Sequence, residues 1–223
     1  MLNRSLMLMF LMSTILLVGC AAQQLTSYET SGFLGSYANF KPSSEDQPNL
    51  VYLNPARDLR QYNKVLIDHV VVYFNPESKN KGVDPVQLNQ LTQYFHQAIV
   101  DALKDRYPIV DRPGEGVLRI RTAITDVEPG SPVKGAAATI IPVGATISII
   151  KKSTTGSNMA VGRASMEIEL LDSLSSVRLA AAIDRREGGT KVVSGKWAAI
   201  EEAFNYWAQK LRVWLDKERA KSF

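Results

Sequence analysis

The sequence predicts an α+β domain: a mostly antiparallel or mixed β-sheet packed with two amphipathic helices, preceded by a signal peptide and an extended N-terminal arm. Three observations carry that expectation. Residues 64–74 are β-branched and aromatic, the runs at 117–127 and 159–183 alternate apolar with polar, and two stretches repeat apolar residues every three or four positions. With 223 residues and 45% hydrophobic content, the chain suits one such domain plus extensions.

The first nineteen residues read as a leader. After Arg4 comes an uncharged run over 6–18, shorter than the ~20 apolar residues a membrane-spanning helix needs but within the length of a signal-peptide core. It ends in Leu17-Val18-Gly19-Cys20, which resembles the lipobox of bacterial lipoproteins. That resemblance implies cleavage between Gly19 and Cys20, palmitate-type acylation of Cys20, and a mature chain of 204 residues. Two or more acyl chains anchor stably where one does not. Ala21 stands where Asp commonly retains such proteins at the inner membrane, so the expected address is the outer membrane, facing the periplasm. Cys20 is the single cysteine, which excludes an intramolecular disulfide framework.

Residues 20–60 lack sustained periodicity and are rich in Ser, Asn, Gln and Pro, as expected of a lipidated tether. Gly32-Phe33-Leu34-Gly35-Ser36-Tyr37 and Leu50-Val51-Tyr52-Leu53 mix apolar anchors with turn residues, so this arm is expected to dock in part. The single folded domain is placed at 61–223. Its first element, 64–74, is apolar on both alternating faces except at Asp68 and His69, the pattern of a central strand covered on both sides.

Asp84 as N-cap, Pro85 and Gln87 then open a helix whose Leu88, Leu91, Phe95, Ile99 and Leu103 form one stripe. Tyr107-Pro108-Ile109-Val110 suits an edge strand, because proline cannot donate to a ladder. From Val117, Leu118, Ile120, Thr122 and Ile124 oppose Arg119, Arg121 and Thr125. Met166, Ile168 and Leu170 likewise oppose Ser165, Glu167 and Glu169. In each strand the second set is the expected wetter face. A turn at 172–176 makes a hairpin with the run that follows. Beyond Gly188-Gly189, Trp197, Ile200, Phe204, Trp207, Leu211 and Leu215 mark a closing helix over about 195–218.

Residues 135–150 are uncharged throughout, between Lys134 and Lys151-Lys152. Two arms of about six residues fall short of the ~9–11 that a transmembrane β-strand requires. Three readings stay open: a core or hairpin element, an oligomer contact, or a shallow membrane-dipping loop. The last two would use Ile140, Ile141, Ile147, Ile149 and Ile150.

Net charge is +4 with no concentrated basic patch, which argues against a nucleic-acid partner. The two histidines, His69 and His96, lack zinc-ligand spacing, and neither a nucleophile elbow nor a phosphate-cradling glycine loop occurs. Asp68 and His69 are strand neighbours and point to opposite faces, so they make no dyad. Asp126, Glu128 and Asp172 have no calcium-loop spacing. No metal, cofactor or catalytic residue is therefore expected. Arg185 and Arg186, within Asp184-Arg185-Arg186-Glu187, are the candidate anion or partner contact, since guanidinium forks grip carboxylate or phosphate.

Cys20, Ser31-Gly32-Phe33-Leu34-Gly35-Ser36-Tyr37, the strand from Ala160-Val161-Gly162 to Glu169, Leu179-Ala180-Ala181-Ala182-Ile183-Asp184-Arg185-Arg186 and Ala203-Phe204-Asn205-Tyr206-Trp207-Ala208 together resemble a bacterial lipoprotein family. It is catalogued as domain of unknown function 3313. The resemblance spans nearly the whole mature chain and implies an address rather than an activity. The order of elements also resembles small periplasmic domains of envelope transport and secretion lipoproteins, including curli-secretion-type pores, which is fold analogy only. The expected function is a membrane-anchored, noncatalytic binding or assembly component of the cell envelope. The alternatives are an oligomeric pore or secretion accessory and, third, a hydrolase.

Overall fold

The computed structural model describes residues 30–44, 48–130, 162–187 and 196–221. Gly19, Cys20 and the isoleucines of 135–150 lie outside the described residues. The folded unit is Ser31–Phe223.

The predicted hairpin forms the middle of the sheet. β5 (Val117–Glu128) pairs antiparallel with β6 (Arg163–Asp172), which turns back into β7 (Arg178–Glu187). Asp172 holds that turn, its Oδ1 accepting from the Ser175 backbone at 2.7 Å and the Leu174 backbone at 3.2 Å. Two further strands, β1 (Lys41–Pro42) and β2 (Leu50–Leu53), come from before Gln61, and β2 pairs antiparallel with β7. At the other edge β3 (Lys64–Ile67) and β4 (Val71–Val72) run parallel to β5. The sheet is therefore mixed and seven-stranded, and the α+β expectation holds.

The run at 64–74 departs from the expected central strand. It breaks at Asp68-His69-Val70 and lies at the sheet's edge. Val65, Val70 and Phe74 turn into the core, while Val71 and Tyr73 on the other face are exposed, with Phe33 of the arm 6.0 Å from the Tyr73 ring. Val65 is capped laterally by the segment after Tyr107, whose Pro108 carbonyl accepts from Val65 at 3.0 Å and whose Val110 amide donates to Val65 at 2.9 Å.

Both helices cross one face of the sheet. α1 (Pro85–Leu103) starts as predicted, with Asp84 Oδ1 accepting from the Val86 amide at 2.8 Å. Asn89, Gln93 and Asp101 are exposed while Leu91, Phe95, Ile99 and Leu103 are buried. α2 (Ala198–Arg219) has no side-chain cap and carries Lys217 and Arg219 in its last turn, favourable at the negative end of the helix dipole. The two helices meet through Phe95 and Phe204, stacked at 4.4 Å and 6°. Beneath them lie Ile120, Ile124, Ile168 and Leu170 from β5 and β6.

Candidate functional site

Strand alternation gives the sheet two chemically different faces, and each holds a concavity. On the helix face, β7 contributes only Ala180 and Ala182 where larger residues would reach α2. Register places Ala182 beside Ile168 and Val51, and Ala180 beside Leu170 and Leu53. Close-packed interiors leave few gaps larger than a water molecule, yet a cavity of about 480 Å³ opens here. Its walls include Val51, Ile168, Leu170, Ala182, Leu211 and Trp214, together with Trp207 and Asp184, Lys210 and Lys217 of α2, and Lys221 just beyond it. Asp184 is buried, and its two oxygens accept from the Trp207 indole at 2.6 Å and the Asn49 amide at 3.0 Å. Burial pushes its carboxyl above the usual carboxylate range, against the pull of those donors.

The opposite face is charged, and its glutamates are not wet. Glu167 is fully buried and Glu169 is 3% exposed, although periodicity assigns both to the solvent side. The arm covers them. Ser31 donates its amide to Glu167 Oε1 at 2.7 Å, and the Tyr37 hydroxyl donates to Oε2 at 2.8 Å while accepting from the Gly32 amide at 2.7 Å. Gly32 has φ +98°, a conformation that favours glycine, and it lets the chain bend tightly enough for that contact. Burial, then Glu167, pushes the Tyr37 hydroxyl up to about 12.

Glu169 is gripped by Arg121 and by Arg178, the latter at 2.8 Å, and Arg178 also donates to the carbonyls of Leu34 and Ser36. Arg119 and Asp68 form a forked pair at 3.0 and 2.8 Å. Arg121 lies over the Phe33 ring at 5.0 Å. A cleft of about 590 Å³ remains open among these residues.

The structure does not bring Arg185 and Arg186 together. Arg186 turns to the helix face and stacks over Tyr206 at 3.6 Å, whereas alternation sends the exposed Arg185 the other way. Two adjacent strand residues cannot fork one anion. Asp68 and His69 also separate: Asp68 joins Arg119, and the His69 ring lies 5.0 Å from His96 on α1. Burial, then His69, lowers the His96 pKa. Asp126 accepts from Ser78 and Asn80, and Glu128 pairs with Arg163 at 3.3 Å. Among the described residues no cluster of histidine, cysteine and carboxylate could hold a metal ion, and no helix is long and apolar enough to cross a membrane.

The family model described as "Protein of unknown function (DUF3313)" matches residues 29–211, from the arm that covers Glu167 through most of α2. The chain belongs to this family. A relative in sequence is the "Uncharacterized lipoprotein YdcL" of Escherichia coli strain K12, 25% identical over 181 residues and 77% of each chain. Among solved structures, a PelC dodecamer from Paraburkholderia phytofirmans has 12% identity, covers 77% of this chain and 96% of its own, and superposes with a TM-score of 0.38. Protein XCC0632 from Xanthomonas campestris gives 12%, 76%, 94% and 0.37. Likenesses this distant carry no argument about assembly or ligand.

Within the DUF3313 match, periodicity finds the strands that bear Glu167, Glu169 and Ala182 but neither concavity. The three successive alanines of β7 are the signal for the apolar one. No local signal marks Glu167 as buried, since its partners Ser31 and Tyr37 lie 136 and 130 residues away.

Proposed function

We propose that this DUF3313 protein is an outer-membrane lipoprotein, anchored through acylated Cys20, whose periplasmic domain binds or assembles rather than catalyses. The lipobox-like Leu17-Val18-Gly19-Cys20, the Ala21 that follows it, and the lipoprotein name of a relative spanning 77% of the chain support the address.

One observation carries the binding reading: the largely apolar cavity under α2 is lined, among the described residues, by no histidine or cysteine, and its two acids, Asp184 and Glu218, are already paired. Asp184, the buried one, already accepts from Trp207 and Asn49. A general acid or base must reach the reacting group with its own proton or lone pair, and both Asp184 oxygens are turned to these structural donors. The carboxylates of the charged cleft are similarly committed, Glu169 to two arginines and Asp68 to Arg119.

Palmitate labelling with membrane fractionation tests the address. Label in the outer-membrane fraction, lost in Cys20→Ser, is the expected result; an unlabelled wild-type chain in the soluble fraction would overturn it. A photo-crosslinker at the exposed Val213, beside the cavity, tests binding in intact cells. A discrete lipid or protein adduct is expected there and absent from a matched site at Leu174; identical products at both positions would sink the reading.

A further inference from the structure

We infer that the cavity between α2 and β7 receives one acyl chain of an anionic phospholipid, with the acidic headgroup against Lys217 and its neighbours; this rests on the binding reading above. The volume of about 480 Å³ is that of a small-molecule pocket. A peptide helix, about 10 Å across, requires an open groove instead. The walls are mostly aliphatic and aromatic, with Ser43 and Ser44 among them, and each oxygen of the one buried acid already accepts a hydrogen bond. A polar ligand would lose its water for few partners in return, whereas methylenes lose nothing.

Charge selects the headgroup. Lys210 and Lys217, seven residues apart, share one face of α2, Lys221 follows just past its C-cap Ala220, and all three border the cavity. The Lys210 ammonium rests on the Tyr206 ring at 5.3 Å and Lys221 pairs with Glu218. Lys217 is exposed and has no partner among the described residues. Glu218 also lines the wall, but Arg57 holds it at 3.1 Å opposite Lys221, so it presents no free negative charge. Between the lysines stand Val213, 62% exposed, and Trp214. Lysines beside exposed apolar and aromatic side chains suit the boundary between acyl chains and headgroups.

Two of the chain's three tryptophans, Trp207 and Trp214, line the cavity and report its contents. The full chain in non-ionic detergent is titrated with phosphatidylglycerol brominated at mid-chain, and with brominated phosphatidylcholine in parallel, reading tryptophan emission. Saturable quenching is expected, with phosphatidylglycerol effective at the lower lipid fraction. Lys217→Glu should raise the half-quenching fraction of phosphatidylglycerol by about fivefold or more, from the weight of one lysine near an anionic surface. Ala182→Phe should abolish the saturable phase by filling the cavity. Quenching that rises linearly with lipid and is the same in wild type and Ala182→Phe means micelle contact only and overturns the proposal. Indifference to both headgroup and Lys217→Glu overturns it equally. Should Ala182→Phe not fold, the exposed Lys217→Glu variant decides alone. Failure of palmitate labelling would remove the address without altering these titrations, and linear quenching would remove the acyl chain without altering the address.

Discussion

The two faces of the sheet are built by the same strands and stabilised by different physics. On the helix face, β5 and β6 bury aliphatic side chains under stacked Phe95 and Phe204, and cohesion scales with apolar area. On the arm face, Glu167 and Glu169 are as buried as Ile120 or Phe204, yet their burial is tolerable only because every oxygen has a donor. The helix face therefore tolerates a gap beside Ala180 and Ala182. The arm face tolerates no missing partner.

Substitutions should separate the faces. Phe204→Ala should cost about 4 kcal/mol, the cost of a large cavity in a packed core, read as a lower urea midpoint. Glu169→Ala should cost about 3 kcal/mol by stranding Arg121 and Arg178, somewhat less if their partial exposure lets water reach them. Replacing Glu169 and Arg178 together by methionine should recover part of that loss, since Arg178 is no longer stranded while Arg121 still lacks Glu169 and the Leu34 and Ser36 carbonyls lose their donor. If the double variant is as unstable as the single one, the pairing account of the arm face fails.

Tyr37→Phe should cost about 1–2 kcal/mol, since it leaves a buried carboxylate oxygen and the Gly32 amide without a partner. It should also change the alkaline limb of stability. Tyr37 and Tyr62 are raised from 10 to about 12 in the folded chain, so their contribution is complete below pH 10 and is lost as pH climbs towards 12. Thermal midpoints across that window should fall less steeply in Tyr37→Phe than in the native chain; parallel slopes would contradict the assignment. Arg186→Ala, which removes only a cation stacked on Tyr206, should shift stability by about 0.5–1 kcal/mol, measured in the same melts.

Much of the fold is legible in sequence. Asp84-Pro85 starts α1 where capping chemistry puts it, Asp172 turns the hairpin, and the stripe from Ile200 to Leu215 defines the buried side of α2. The β-branched run at 64–74 misleads, because its apolar side chains are buried only on the core side, while Val71 and Tyr73 on the other face stand exposed at the sheet's edge. Arg185 and Arg186 mislead in a simpler way: adjacency in sequence is opposition on a strand.

Taken alone, the amino-acid order determined which residues share a face of each helix and strand. Those patterns follow from local backbone periods of 3.6 and 2.0 residues. Only tertiary structure decided what covers each face: the arm over Glu167, and a helix held far enough from Ala180 and Ala182 to leave a cavity. Side-chain alternation specifies direction, whereas burial depends on partners supplied by distant parts of the chain.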